Sequence, residues 1–99
     1  MERSYEVRFK DWDCLVVKRW YQNNHRRALV LVDKENGSPI ATASVNLPDI
    51  MVPPEHVLIK SYSENEGMYE ALLKADIIEP SIQTIPTGYV DVYLCKLKI

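Results

Sequence analysis

The residues predict an α+β domain, an antiparallel β-sheet meander of about five to six strands with one α-helix packed on one face. Three observations lead there. Apolar and polar residues alternate with a period of two in the first half of the chain. An Asn36-Gly37 pair separates two apolar runs, a strong hairpin signal because a type I′ turn needs positive φ at both central residues. A single segment after residue 62 changes to the helical period.

The first strand is SYEVRF, with Tyr5, Val7 and Phe9 on one side and Glu6 and Arg8 on the other. DWD around Trp12 reads as a turn into a second strand, CLVVKRWY. RALVLVD is the third strand and PIATASVN the fourth. If Asn23-Asn24 forms a two-residue turn, Trp20 faces Arg27, Tyr21 faces Arg26, Val17 faces Val30 and Leu15 faces Val32. The Asn36-Gly37 turn then sets Val32 beside Ala41, Val30 beside Ala43 and Ala28 beside Val45. Together the two turns place Leu15, Val17, Ala28, Val30, Val32, Ala41, Ala43 and Val45 on one apolar face. The small alanines would let a helix approach it closely.

That helix is expected from about Ser63 to Ala75. Ser63 followed by Glu66 reads as a capping box, and Met68, Ala71, Leu72 and Ala75 recur as one helical stripe. Gly67 is an unfavourable residue for a helix interior. LPDIMVPPEH, with three prolines, reads as a loop between sheet and helix. After Pro80, Pro86 and Thr87-Gly88, YVDVYLCKLKI is a long strand. Val90, Val92 and Leu94 lie on one side, and Tyr89, Tyr93, Cys95 and Leu97 on the other. Two apolar sides predict a central place in the sheet.

With 99 residues, 46% of them hydrophobic and 26% charged, residues 1–99 are expected to form one domain. The chain is charged from its second residue and has no run near the roughly 20 apolar residues that span a bilayer. A cytoplasmic protein without membrane contact is the expectation. Cys14 and Cys95 lie near opposite ends without a CxxC or Cys/His spacing, and read as reduced buried thiols rather than a disulfide or a nucleophile.

Catalytic and metal constellations are not found in the sequence. The three glycines are scattered, so there is no phosphate loop, and His25 and His56 lack the short-spaced partners of metal sites. Asp11 and Asp13 flank Trp12 in the DWD turn, and two carboxylates are too few for a hard cation, so they suit a solvated turn better than a metal. Asn36-Gly37-Ser38 matches the glycosylation sequon, but the hairpin turn accounts for it. Cys14 and His25 fall at opposite ends of one hairpin, too far apart for a nucleophile and its base. A non-enzymatic protein without a cofactor or metal is expected.

One stretch stands out. KRWYQNNHRR, residues 18–27, carries four of the 12 bases and no acid, leaving the rest of the chain with eight bases against 14 acids, a sum of −6. It has two readings. As structure, Trp20 over Arg27 and Tyr21 beside Arg26 are cross-strand pairs with cation–π character that stabilise a hairpin tip. As function, Lys18, Arg19, Trp20, Tyr21, His25, Arg26 and Arg27 form a partner-binding surface of the aromatic and arginine composition common at interface hot spots. A pI near 5.6 fits a protein partner, or RNA held by a protein, better than free nucleic acid. On the functional reading, charge reversal at Arg26 and Arg27 weakens association more at low salt than at high.

The stretches ALVLVDKENGSPIATASVNLPD, IKSYSENEGMYEALLKADIIEP and IPTGYVDVYLCKL resemble an uncharacterised family of small proteins carried by phages, plasmids and other mobile elements of gut bacteria. The likeness rests on the Asn-Gly hairpin, the NLP exit from the fourth strand, the SENEGM segment and the PTG turn. The resemblance implies an anti-CRISPR protein, a stoichiometric inhibitor that binds a type II RNA-guided nuclease (Cas) or its guide-RNA complex in the bacterial host cell. It implies no catalytic residues. Residues 11 to 27 depart most from the family pattern, so the site assigned to them rests on physical chemistry. Two other readings remain open. A nucleic-acid-associated accessory protein of the mobile element predicts salt-sensitive binding of bare DNA or RNA. A small-ligand sponge or enzyme of counter-defence predicts a concave pocket lined by polar groups.

Overall fold

The computed structural model describes residues 5–99, so Ser4 of the expected first strand lies outside the described residues. The described residues form the expected α+β arrangement. The strands are β1 (Glu6–Phe9), β2 (Trp12–Trp20), β3 (Arg27–Asp33), β4 (Pro39–Thr42), β5 (His56–Lys60), β6 (Gln83–Pro86) and β7 (Asp91–Lys96), with α1 at Met68–Lys74. They pair as two antiparallel sheets, ordered β1-β2-β3-β4 and β5-β7-β6. The chain crosses between them at residues 43–45. There Ala43 N–H donates to Leu29 O on one side, while Lys60 N–H donates to Ala43 O and Val45 N–H to Leu58 O on the other.

The β2–β3 register is the expected one, with Leu15 opposite Val32, Val17 opposite Val30 and Trp20 opposite Arg27. Its turn differs. Tyr21 and Arg26 close a loop of four residues, in which His25 alone takes positive φ, at 55°. A four-residue loop shares its centre with the expected two-residue one, so the pairing is unchanged. The first turn is also earlier than expected: Lys10, at φ 55°, and Asp11 make it, and Trp12 already lies in β2.

The β3–β4 register is corrected. Asp33 pairs with Ser38 around a wide loop in which Gly37 alone has positive φ, at 75°. Two side chains build that loop: Asp33 Oδ1 accepts the Glu35 N–H and Asn36 Oδ1 accepts the Ser38 N–H. A bulge between Leu31 and Val32 then brings Ala41 opposite Leu31 and Thr42 opposite Val30, not Ala41 opposite Val32 and Ala43 opposite Val30. Bulges of this kind insert one residue and turn the following side chains to the other face.

The expected apolar face therefore divides. The main core collects Val7, Phe9, Cys14, Leu29 and Leu31 from the opposite side of the first sheet, with Ala43 now among them and Ala41 packed against it. Leu15, Val17, Val30 and Val32 stay half-buried on the outer side and belong to neither core cluster. β7 is central, as expected, and serves both clusters. Cys95 and Leu97 enter the main core, while Val92 and Leu94 join Leu58 and Ile85 in a second cluster. Leu47, Ile50 and Val52 pack against that second cluster, so the proline-rich loop is a cover for the second sheet as well as a connection.

The helix is shorter than expected. Ser63–Asn65 form a single 3-10 turn without a side-chain cap, and α1 begins only after Gly67, whose φ of 88° breaks the two apart. The capping box of Ser63 and Glu66 is thus absent. The far end is as expected: Ala75 caps it, and Asp76 in the left-handed region lets the Ile77 N–H reach Leu72 O and its own N–H reach Leu73 O, a Schellman closure. Met68 and Leu72 point α1 into the core. Ser63→Ala should leave stability within about 0.5 kcal/mol, while Gly67→Ala should cost about 1–2 kcal/mol because alanine resists positive φ. Thermal melts of the two variants check this, and a larger loss at Ser63 would return the helix start to that residue.

Candidate functional site

KRWYQNNHRR occupies the end of β2, the turn and the start of β3. Four of its side chains fasten the tip to the loop after β4, three of them half-buried and Asn23 exposed. Tyr21 Oη shares a hydrogen bond of 2.8 Å with Ser44 Oγ. Asn24 Nδ2 donates to Asn46 Oδ1, and Asn46 Nδ2 donates in turn to Asn23 Oδ1, both at 2.9 Å. Arg26 spreads its guanidinium over the loop backbone: Nη1 donates to Leu47 O at 2.9 Å, and Nη2 donates to Ile50 O at 2.6 Å and Pro48 O at 3.4 Å. Five donors in a rigid fork suit this task, which a lysine could not perform.

The remaining side chains are exposed, apart from the half-buried Arg27. The Arg27 guanidinium lies over the Trp20 ring, 4.1 Å from its centroid, and Trp20 is nonetheless 57% exposed. Lys18, Arg19 and His25 are exposed. Lys18 pairs with Leu29 and Arg19 with Ala28 across the ladder, so these two cations lie on opposite faces of β2. None of Lys18, Arg19, Arg26 and Arg27 has a carboxylate partner among the described residues.

The structure brings Trp20, His25, Arg26 and Arg27 together along a groove of about 640 Å³, whose other wall is made by Val52–His56 and Leu97–Ile99. Lys18, Arg19 and Tyr21 do not line it. Glu55 is the carboxylate of that wall. His56 Nδ1 donates to Pro54 O at 2.8 Å, which leaves Nε2 free when the ring is neutral. Lys98, also on the wall, is ion-paired with Asp76. Sequence reasoning missed Glu55, His56 and Lys98 because nothing in their spacing relates them to residues 18–27. The amides Asn23, Asn24 and Asn46 were the available signal, since short polar side chains flanking two loops are well suited to tie one to the other.

The cysteines are free and buried. Burial pushes the Cys95 thiol up to about 12. The Cys14 thiol is also raised, by burial first and then by the charges of Asp33 and Asp13. Thiols so held are poor nucleophiles at neutral pH, and Cys14 pairs with Asp33 at the end of the hairpin remote from His25. Among the described residues no helix is long and apolar enough to cross a membrane. Comparison of the chain with protein-family models, characterised proteins and solved structures finds no match.

Proposed function

We propose that the protein is a stoichiometric, non-enzymatic inhibitor that binds a type II RNA-guided nuclease or its guide-RNA complex in the bacterial cytoplasm. The observation that carries the reading is the division of the basic stretch. Its inward half locks the tip to the loop after β4, and its outward half presents Trp20 and Arg27 as a stacked pair beside a groove. A surface held rigid before binding loses less entropy on association, and an exposed tryptophan with an arginine has hot-spot chemistry. The sequence likeness to proteins of phages and mobile elements of gut bacteria supports the same reading. Inhibition by occlusion asks only for a stable fold and a complementary patch.

Titrating the purified protein into a guide-loaded type II nuclease should abolish DNA cleavage with an endpoint near one inhibitor per nuclease. Arg27→Glu should weaken inhibition more at low salt than at high, because an exposed charge acts mainly through a field that salt screens. Undiminished cleavage at tenfold excess, across nucleases of this type from gut bacteria, would refute the proposal. The groove favours a second reading, a binder of a small ligand, which predicted a concave site of this kind.

A further inference from the structure

The groove at the hairpin tip combines three features that one class of ligand uses together. Trp20 as a residue is 57% exposed even with Arg27 stacked over one face of its ring. Aromatic planes of this kind stack nucleic-acid bases without regard to sequence. Arg27 lies over the ring, which occupies its flat face and leaves in-plane N–H donors for an anion, with no carboxylate partner among the described residues. The open groove has a volume of about 640 Å³, within the roughly 300–1,000 Å³ usual for small-molecule sites.

From this geometry we infer that the groove is a nucleotide-binding site, with the base stacked on Trp20 and the phosphate held by Arg27. A run of acidic side chains would use Arg27 but supply no flat group to stack on Trp20, whereas a nucleotide supplies both a base and a phosphate. The wall is preformed, because Arg26 and the Asn23, Asn24 and Asn46 amides already fix the tip to the neighbouring loop. His56 adds a ring nitrogen that Pro54 O leaves free. Glu55 lies in the opposite wall, where Lys98 is already ion-paired with Asp76, so Arg27 is the groove cation nearest Trp20 and, among the described residues, has no carboxylate partner. The nucleotide has two sources, a free mononucleotide or one residue of an RNA strand, and the strand source rests on the inhibitor reading above.

The chain has two tryptophans, so Trp12→Phe leaves Trp20 as the reporter of the groove. In that background AMP and a six-residue oligoadenylate RNA should each quench the fluorescence saturably, and adenosine should bind at least tenfold more weakly than AMP. Arg27→Ala should lose at least tenfold in affinity for AMP, with Arg27→Lys intermediate; both should retain the parent melting temperature within a few degrees, and Trp20→Phe should reduce affinity as measured by calorimetry. RNA binding at least tenfold tighter than AMP supports the strand source, and equal affinities support the free nucleotide. Absence of saturable binding of AMP and of RNA at millimolar concentration, or binding of a hexaglutamate peptide in their place, would overturn the inference. No nuclease enters this measurement. Failure of nucleotide binding therefore leaves the inhibitor reading standing, and failure of inhibition leaves this site standing.

Discussion

Arg26→Ala should destabilise the protein by about 2–3 kcal/mol, the usual worth of hydrogen bonds to a charged group when the acceptors lose their donor. The two short bonds to Leu47 O and Ile50 O are the ones that matter, since the contact to Pro48 O is long and exposed. Their loss frees residues 47–50, and with them Leu47 and Ile50, which pack against the second core cluster. For a domain of this size the melting temperature should fall by about 10–20 °C. Arg26→Lys should recover less than half of the loss, because a single ammonium cannot follow the fork of the guanidinium. A melt of Arg26→Ala that overlays the parent would show that the loop is held by its apolar contacts alone. The consequence for function is direct. Reversing Arg26 and Arg27 together, the natural test from the sequence, confounds unfolding with loss of binding, whereas Arg27 and Arg19 can each be changed without releasing the loop.

How far the sequence determined this outcome differs from strand to strand. β1 had the clearest alternation, Tyr5, Val7 and Phe9 against Glu6 and Arg8, and its apolar side is the side that faces the core. Since Val7 pairs with Cys14, carrying that side across the ladder leads to Val16, Leu29 and Leu31. β2 and β3 are apolar on both sides, so their own pattern could not choose, and the alanines of β4 joined whichever face the turn selected. The Asn36-Gly37 turn was recognised but not its width, because Asp33 and Asn36 cap backbone N–H groups that a two-residue turn would not present. β5 was missed where two prolines precede a short apolar run, which periodicity alone cannot tell from a loop or a helix fragment. The central place of β7 was legible because both of its sides are apolar.

The site shows the same division. The Trp20–Arg27 stack follows from the register and was visible in the sequence. The role of Arg26 was not, since it depends on a loop twenty residues away folding back over the second sheet. Local pairing is written in local spacing, whereas a cation satisfied by distant carbonyls looks identical in sequence to a free one.

Asn65→Ala should cost about 1–3 kcal/mol, through two part-buried carbonyls left without their side-chain donor. Asn65 is 1% exposed, and its Nδ2 donates to Thr42 O at 2.7 Å and to Lys60 O at 3.1 Å. Thr42 ends β4 in the first sheet and Lys60 ends β5 in the second. One amide therefore satisfies both sheets at the corner where the chain passes between them. Read from sequence, this residue was only a polar position inside an expected helix. Asn65→Asp separates hydrogen bonding from volume, because aspartate has nearly the same size but, once ionised, no donor. Two carbonyl oxygens facing the carboxylate disfavour its charge, so its folded pKa should rise above the unfolded value near 4. A raised carboxylate pKa makes the deficit smallest below pH 4, where the protonated group still donates one bond, and makes it grow as pH climbs through the unfolded value towards the folded one. Denaturant unfolding of the variant and the parent, compared at pH 4 and pH 7, should show the difference in stability widening by about 1 kcal/mol or more over that interval. A difference that stays constant with pH, or one that vanishes at pH 7, would mean that water reaches the two carbonyls and that the corner is held by the backbone bonds of Ala43 and Val45 instead.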